Sequence, residues 1–492
     1  MKQNNIENLG IGDYCRNNYD TKYDVAIIGF GWAHNYGAVL TNYGMMKYLQ
    51  KRGLNPLLVE KPLDMNNNCY YDVVYSDMFA RRFNQRQFPN NISRIYDDEN
   101  DMRALNGLVD TFILGSDQTL NYTLHKSAQY YIGMGFANDD KKKIAYSAGL
   151  GHYEYMGDDW YKANMRYYLS KYDYIAVREP NTVKVLKEQF DVDSVNVVDP
   201  MYFITAEEYN ELAKQSTEHL YNDCIVAFIL IPNVKYLEQL DILSKKLGCD
   251  VVIISQFWEI DEFKNWGFKT VISPEVEGWI NHIKNARFVV TDSFHAMYTI
   301  ITLEKPFLFV INNNTSHKRG MARFPIFMSI PELEKRFLSS IEDIEKFDAL
   351  EEKIDYQTIH RIFDEQKEFS IKWLDNALKQ PKNQKIIDNP KTLNVLHEKM
   401  EIINKNIQEL RTIVQKEKNI IIKEDVSYKE DVKKSFENLQ LLLNKEYICK
   451  RYLKCKILSK ILYGKKRKHY KEKAKYYHEK VRLIRKIREI YK

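Results

Sequence analysis

Short apolar runs separated by longer amphipathic stretches recur through the first 345 residues of this chain. Val25 to Ile28, Asn55 to Glu60, Asp110 to Leu114, Lys143 to Ala148, Tyr174 to Val177 and Val195 to Val198 are brief and largely apolar, as buried strands are. Helical spacing follows the first run to about Arg52, where Gly53 provides a stop; it also covers about Asp158 to Lys171 and runs from Glu179 through Phe190. A crossover that holds a helix returns the chain in its original direction, so the alternation predicts parallel strands. The pattern then restarts. Cys224 to Leu230, Asp250 to Ser255, Phe288 to Val290 and Phe307 to Ile311 read as strands, with helices over Val234 to Leu247 and Glu275 to Ala286. The expected body is therefore α/β, with two doubly wound domains over residues 22–200 and 201–345, residues 201–220 forming the crossover.

Outside this alternation the pattern weakens. Residues 1–21 are polar and expected to be loose, and residues 64–105, rich in Asn, Asp, Tyr and Arg, read as a long insert or as loops over a site. Ile359, Ile362, Phe363, Phe369, Trp373, Leu374 and Leu378 recur at helical spacing, which predicts a helix within residues 346–380 that packs back on both domains. Pro381 and Pro390 then mark a linker into a C-terminal extension, residues 381–492.

Two patterns succeed one another in that extension. Leu393, Leu396, Met400, Ile403, Ile407, Leu410 and Val414 alternate steps of three and four, a seam that either pairs two chains as a homodimer or lies against the body. Residues 440–492 then thread aliphatic and aromatic residues between lysines and arginines. Residues 445–492 carry 19 Lys and Arg against 4 Glu, a net +15, which leaves residues 1–444 at −9 within the total of +6. Such a segment suits an amphipathic helix on an anionic membrane surface. No nucleic-acid partner is expected, since no recognisable module accompanies the charge and its apolar residues would be wasted on phosphates.

Composition narrows the class further. With 492 residues, 44% hydrophobic and 13% aromatic, the chain exceeds one core and has material for two. No apolar run is long enough to span a membrane and no apolar segment follows Met1 to Asn5, so a cytoplasmic protein, peripheral at most on the inner face of the membrane, is expected. The six cysteines lack a metal-binding or disulfide spacing, so no metal is expected. The glycine turn after Ile28 lacks the full dinucleotide fingerprint, and no nicotinamide cofactor is inferred.

Candidate chemistry clusters at strand ends, where parallel sheets bind ligands. Thr291, Asp292 and Ser293 cap the helix after Phe288 to Val290, which puts His295 in its first turn beside unsatisfied N–H groups that favour anions. Gly115 and Ser116 permit close backbone approach, and Asp117 follows them. Arg178 and Glu179 end another strand, and a planar guanidinium there suits a phosphate or carboxylate. Arg319 and Arg323 stand in a polar loop beyond Ile311. The structural alternatives are ordinary: Asp and Ser as helix caps, Arg178 in an ion pair with Glu179 or Asp173, and an exposed basic loop.

Taken in order, Asn35-Tyr-Gly-Ala-Val-Leu, Gly115-Ser-Asp-Gln with Asn121, Val177-Arg-Glu, Val198-Asp-Pro and Thr291-Asp-Ser-Phe-His resemble the polysaccharide pyruvyl transferase family over residues 22–330. The resemblance implies two Rossmann-like domains facing a cleft (GT-B-like). It also implies transfer of the enolpyruvyl unit of phosphoenolpyruvate to hydroxyls of a sugar or lipid-linked oligosaccharide as a pyruvate ketal, without a metal, in bacterial capsule or exopolysaccharide synthesis. In that chemistry His295 is the general acid or a phosphate ligand and Asp117 or Glu179 the base. Arg178 holds phosphate or carboxylate with Arg319 and Arg323 nearby, Asn35 and Ser116 orient substrate, and Gly115, Asp292 and Ser293 line the same place. Ala296 stands where the family commonly has Gly and Leu120 where it commonly has Trp, which narrows the space behind His295 and alters the acceptor surface. A nucleotide-sugar glycosyltransferase of the same architecture and a non-catalytic, membrane-tethered scaffold are the competing expectations.

Overall fold

The computed structural model describes residues 21–32, 34–60, 79–96, 100–121, 133–157, 159–230, 234–256, 266–311, 323–344, 347 and 353–382. Residue contacts divide the chain into two units, residues 1–395 and 396–492, and the described residues all belong to the first. The seam at 393–414, the basic segment 440–492 and Arg319 lie outside the described residues.

Strands β1 (Val25–Ile28), β2 (Pro56–Leu58), β3 (Thr111–Leu114), β4 (Lys142–Ala148), β5 (Tyr174–Val177) and β6 (Val195–Asn196) form a parallel sheet in the order β2-β1-β3-β4-β5-β6. A second parallel sheet takes β7 (Ile225–Phe228), β8 (Val251–Ser255), β9 (Lys269–Ile272), β10 (Phe288–Thr291), β11 (Phe307–Val310) and β12 (Phe337–Leu338) in the order β12-β11-β10-β7-β8-β9. Ala26 sits opposite Leu57 and Phe112, and Val290 opposite Leu308 and Ala227, so the most apolar strands are central and covered on both faces. Each order reverses once, at β1/β3 and at β7/β10, which opens a crevice at the carboxyl ends of those strands. The expected pair of doubly wound, Rossmann-like α/β domains is what the chain forms.

The longer helices among the described residues are α1 (Tyr36–Lys51), α2 (Phe79–Gln87), α3 (Asp159–Leu169), α4 (Pro180–Phe190), α5 (Ala206–Lys214), α6 (Val234–Leu247), α7 (Val276–Asn285), α8 (Phe294–Thr302) and α9 (Tyr356–Lys379). Their starts follow the local chemistry. Asn35 accepts from Ala38 N at the head of α1, Ser293 from Ala296 N at the head of α8, and Thr205 with Glu208 makes a capping box on α5. Several elements were not foreseen, α5 within the expected crossover among them. Helix α2 hides Phe79, Ala80 and Phe83 among Arg and Gln, edge strand β9 is only half-buried, and β12 has two residues. The run Val195 to Val198 pairs over its first two residues alone, because Asp199-Pro200 turns the chain into the 3-10 turn Pro200–Phe203.

One apolar cluster spans both sheets, joining Val39 and Tyr43 of α1 to Trp279 and Ile280 of α7 and Met297 of α8; two further clusters cover the outer faces of the sheets. At its centre the Tyr36 ring is stacked between Phe79 (4.3 Å) and Trp279 (5.0 Å), and its hydroxyl donates to Pro274 O (2.7 Å). Helix α9 crosses the same boundary. His360 near its start reaches Glu304 (3.2 Å), while Asp375 near its end pairs with Arg52 (3.0 Å). Lys142 closes the last turn of α9 by donating to the carbonyls of Ala377, Leu378 and Gln380. Among the described residues no helix is long and apolar enough to cross a membrane.

Candidate active site

The two crevices face each other, and their side chains meet. Arg178, just past β5, directs Nη1 to within 3.1 Å of Nε2 of His295, in the first turn of α8. A guanidinium only donates, so in this arrangement Nε2 is the acceptor and the ring proton is on Nδ1. The same Nε2 faces Asp199 Oδ2 at 3.7 Å and Asp117 Oδ1 at 3.9 Å, so a protonated imidazole would find two carboxylates in place. Arg178 and His295 are 5% and 6% exposed, so both are nearly enclosed yet still reachable from outside.

Arg178 is ringed by acids: Asp199 at 3.1 Å, Asp117 at 3.5 Å and Glu179 at 3.5 Å. Burial opposes its charge, yet Glu179, Asp117 and Asp199 outweigh it and lift its pKa above the ordinary guanidinium value. Its guanidinium also lies over the Phe294 ring at 4.9 Å, and Arg323, partly buried, lies over the same ring at 5.3 Å. Burial and the neighbouring Arg178 pull Arg323 down to about 10 although Asp117 and Glu179 oppose this, so Arg323 carries its charge at a cost that an anion beside it would relieve.

The carboxylates differ in access. Burial would raise the Asp117 pKa, but His295 when it is protonated, Arg178 and Arg323 hold it below the usual value, and 15% of its side chain remains exposed. Its backbone is left-handed (φ 75), a conformation Asp tolerates better than most residues, and its carbonyl accepts from Gly149 N (2.7 Å). Glu179 is enclosed: one oxygen accepts from Leu150 N and from Thr182 Oγ1, both at 2.9 Å, and the other faces Arg178. Gly149 fits here because a Cβ would come within 2.8 Å of Glu179 Oε1 and 3.0 Å of Arg178 Nη2.

Other expected site residues stand one step back. Ser116 is buried and donates to Asp199 Oδ2 (2.7 Å) rather than facing open space. Asp292 accepts from Leu230 N (2.8 Å), tying the end of β10 to that of β7, and Ser293 alone caps α8. Asn35 is exposed and caps α1, and Gly115 lets its N–H reach Ile28 O (2.7 Å) between β3 and β1. Leu120 is buried in the first domain, so the departure there changes the core and not an acceptor surface. Asp199, fully buried between Arg178 and His295, was not among the expected site residues, although an Asp-Pro at a strand end was the available signal. Among the described residues no group of three or more His, Cys, Asp or Glu has the arrangement of a metal site.

Solved structures that match at 11–13% identity include the wall teichoic acid polymerase TagF (12% identity, 81% of this chain and 97% of that one, TM-score 0.40). They also include the UDP-GlcNAc 2-epimerase from Neisseria meningitidis bound to UDP-GlcNAc (11%, 72% and 98%, TM-score 0.47) and the S. aureus MnaA-UDP complex (13%, 73% and 96%, TM-score 0.42). No curated protein matches the sequence. The sequence model of the polysaccharide pyruvyl transferases matches residues 35–314, more than half of the chain. That span runs from the Asn35 cap of α1 past β11 and holds Asp117, Arg178, Asp199 and His295, and over it the chain belongs to the polysaccharide pyruvyl transferase family.

Proposed function

We propose that this chain transfers the enolpyruvyl unit of phosphoenolpyruvate to two hydroxyls of a sugar, forming a pyruvate ketal and releasing phosphate. The observation that carries the reading is the meeting of His295 from one sheet with Arg178 from the other, beside Arg323 and an accessible carboxylate on Asp117. Phosphoenolpyruvate presents two anionic groups, and two guanidiniums flanking Phe294 suit them.

Protonated His295 delivers its proton to the methylene carbon, making a methyl group and an electron-poor central carbon. The first sugar hydroxyl adds to that carbon, and its proton passes to Asp117, which is the better base of the two acids because Glu179 is saturated by Leu150 N and Thr182. The carbon–oxygen bond to phosphate then breaks, and the second hydroxyl closes the ring. Asp117 passes the first hydroxyl's proton to the departing phosphate, which leaves as hydrogen phosphate, and the second hydroxyl's proton restores His295.

In the same reading the acceptor is a lipid-linked precursor of a bacterial surface polysaccharide. Residues 440–492 bring the enzyme to the anionic inner face of the membrane, and residues 393–414 pair two chains. Incubating the purified protein with phosphoenolpyruvate and a panel of free and lipid-linked oligosaccharides tests this. Inorganic phosphate and a sugar-borne ketal methyl group are expected. Release of a nucleoside diphosphate from nucleotide sugars, with no turnover of phosphoenolpyruvate, would replace the reading by glycosyl transfer.

A further inference from the structure

Asp199 sits beneath the Arg178–His295 pair with no exposed surface and both oxygens engaged. Oδ1 accepts from the Thr41 hydroxyl (3.0 Å) and from Met201 N (2.9 Å); Oδ2 accepts from the Ser116 hydroxyl (2.7 Å) and from Arg178 Nη1 (3.1 Å), and faces His295 Nε2 at 3.7 Å. These donors come from α1, from the turn after β3, from the end of β5 and from the 3-10 turn that follows Asp199 itself. A carboxylate held from four directions cannot swing, and it has no face left for a substrate. It is well built to fix the groups that touch it.

We propose that Asp199 is the positioning residue of this site: it anchors the guanidinium of Arg178 and holds Nε2 of His295 ready to carry a proton once a bound anion takes over the Arg178 N–H that Nε2 accepts. In the ligand-free arrangement Arg178 Nη1 uses the Nε2 lone pair. An anion that takes over the donors of Arg178 leaves that lone pair open, and the proton that Nε2 then binds faces Asp199 and Asp117. The charged and titratable groups around the imidazole are Arg178 with Glu179 behind it, Asp117, Asp199, Arg323 across the Phe294 ring, and Tyr298 one turn along α8. Helix α1 presents Gly37 to the ring. Burial works against the Asp199 charge, but protonated His295, Arg178 and the Met201 N–H outweigh it and keep the carboxyl well below its ordinary value, so it is ionised throughout the neutral range.

The proposal rests on the pyruvyl-transfer reading for its chemistry, and the experiment separates the two. Full-length protein labelled with 15N-histidine is titrated by NMR, with the His295 signals identified by their loss in His295→Gln, for wild type, Asp199→Asn and Ser116→Ala. Removing the Asp199 charge lowers the imidazole titration midpoint by about one pH unit. Ser116→Ala, which removes one donor that holds the carboxylate and keeps the charge, shifts it less and also serves if Asp199→Asn does not fold. With phosphoenolpyruvate and an acceptor, Asp199→Asn lowers kcat on the order of 100-fold, with little change in KM, and moves the high-pH loss of activity to lower pH. A midpoint unchanged in Asp199→Asn overturns the proposal. So does an unshifted pH profile with activity reduced only in step with thermal stability. If wild type never turns over phosphoenolpyruvate, the functional reading fails while the NMR titration still decides the role of Asp199.

Discussion

The Cα of Gly37, in the first turn of α1, lies directly against the imidazole of His295, so that a Cβ at position 37 would stand 2.2 Å from Nδ1 and 2.3 Å from Cγ. The close approach explains why a glycine follows Asn35-Tyr36 at the head of a helix that is otherwise well furnished with side chains. Gly37→Ala is expected to push the ring off Arg178. Overpacking of this kind destabilises by about 1–3 kcal/mol, but a displacement near 1 Å at the reacting group costs about 100-fold in rate. Thermal melting compared with turnover checks this: a variant that melts a few degrees low yet retains near-wild-type kcat would show that the contact does not fix the ring.

Substitutions of the pair itself differ in what they leave behind. His295→Ala removes a neutral ring from a pocket edge, so the protein is expected to fold and to lose transfer. Arg178→Ala leaves Asp199, Asp117 and Glu179 facing one another, and loss of one partner from a buried ionic group costs about 3–5 kcal/mol. Arg178→Lys keeps a charge and gives up the fork, which makes it the cleaner test of anion binding. Its expected signature is a raised KM for phosphoenolpyruvate with a folded, near-normal melting curve. An unchanged KM would discard Arg178 as the anion ligand.

Much of this was readable in the chain, for reasons that separate by element. Strands β1, β7 and β10 are continuous apolar runs, so their burial and parallel pairing follow from sequence alone. Arg178, Asp117 and His295 were legible because each follows such a run, at the place where side chains of a parallel sheet converge. Sequence spacing says little about which side chains occupy which distance from an open space. Thus Ser116 and Asp292, with the same position and polarity as Asp117, turn out to bond inward, to Asp199 and to Leu230 N. Asp199 falls in one of the motifs that carry the resemblance, yet its place in the site is not legible there, because Asp-Pro also ends strands for purely conformational reasons. Helix α2 is hard to read because its three apolar residues are spread among charged ones whose partners, Glu275 and Glu277, lie about 190 residues away.

Arg323 offers a test with an unusual sign. Because burial and Arg178 hold its pKa down to about 10, its charge opposes folding of the ligand-free protein. Arg323→Met is therefore expected to leave the free protein as stable as wild type or more so. The stabilisation that phosphoenolpyruvate gives, about 2.7 kcal/mol at a ligand concentration 100 times Kd, should shrink or vanish. Melting curves with and without phosphoenolpyruvate read both effects. A destabilised free protein that keeps its full ligand-induced shift would remove Arg323 from the anion site.

Glu218 carries a similar opposition at the boundary between the sheets. Arg82 and Arg86 of α2 reach across to Glu275 (2.5 and 2.6 Å), and Arg86 also to Glu277 (2.8 Å). Glu218 stands on the acidic side of this cluster, its Oε1 accepting from Glu275 N (3.0 Å) and its Oε2 buried without a hydrogen-bond partner. Burial raises its pKa, and the charges of Glu275 and Glu277 add to the rise. For an acid raised in the folded state the unfolded chain loses its proton first as pH climbs. Stability therefore falls with rising pH between about 4.3, the unfolded value, and the higher folded value, and the full penalty persists at pH 7. Glu218→Gln removes the charge while leaving an oxygen for Glu275 N, so stability at pH 7 should rise by about 0.5–1 kcal/mol and the decline above pH 4.3 should flatten. Denaturant melts at pH 4 and pH 7 decide it, because a variant less stable than wild type at both values would mean that the carboxylate holds α7 in place more than its charge repels it.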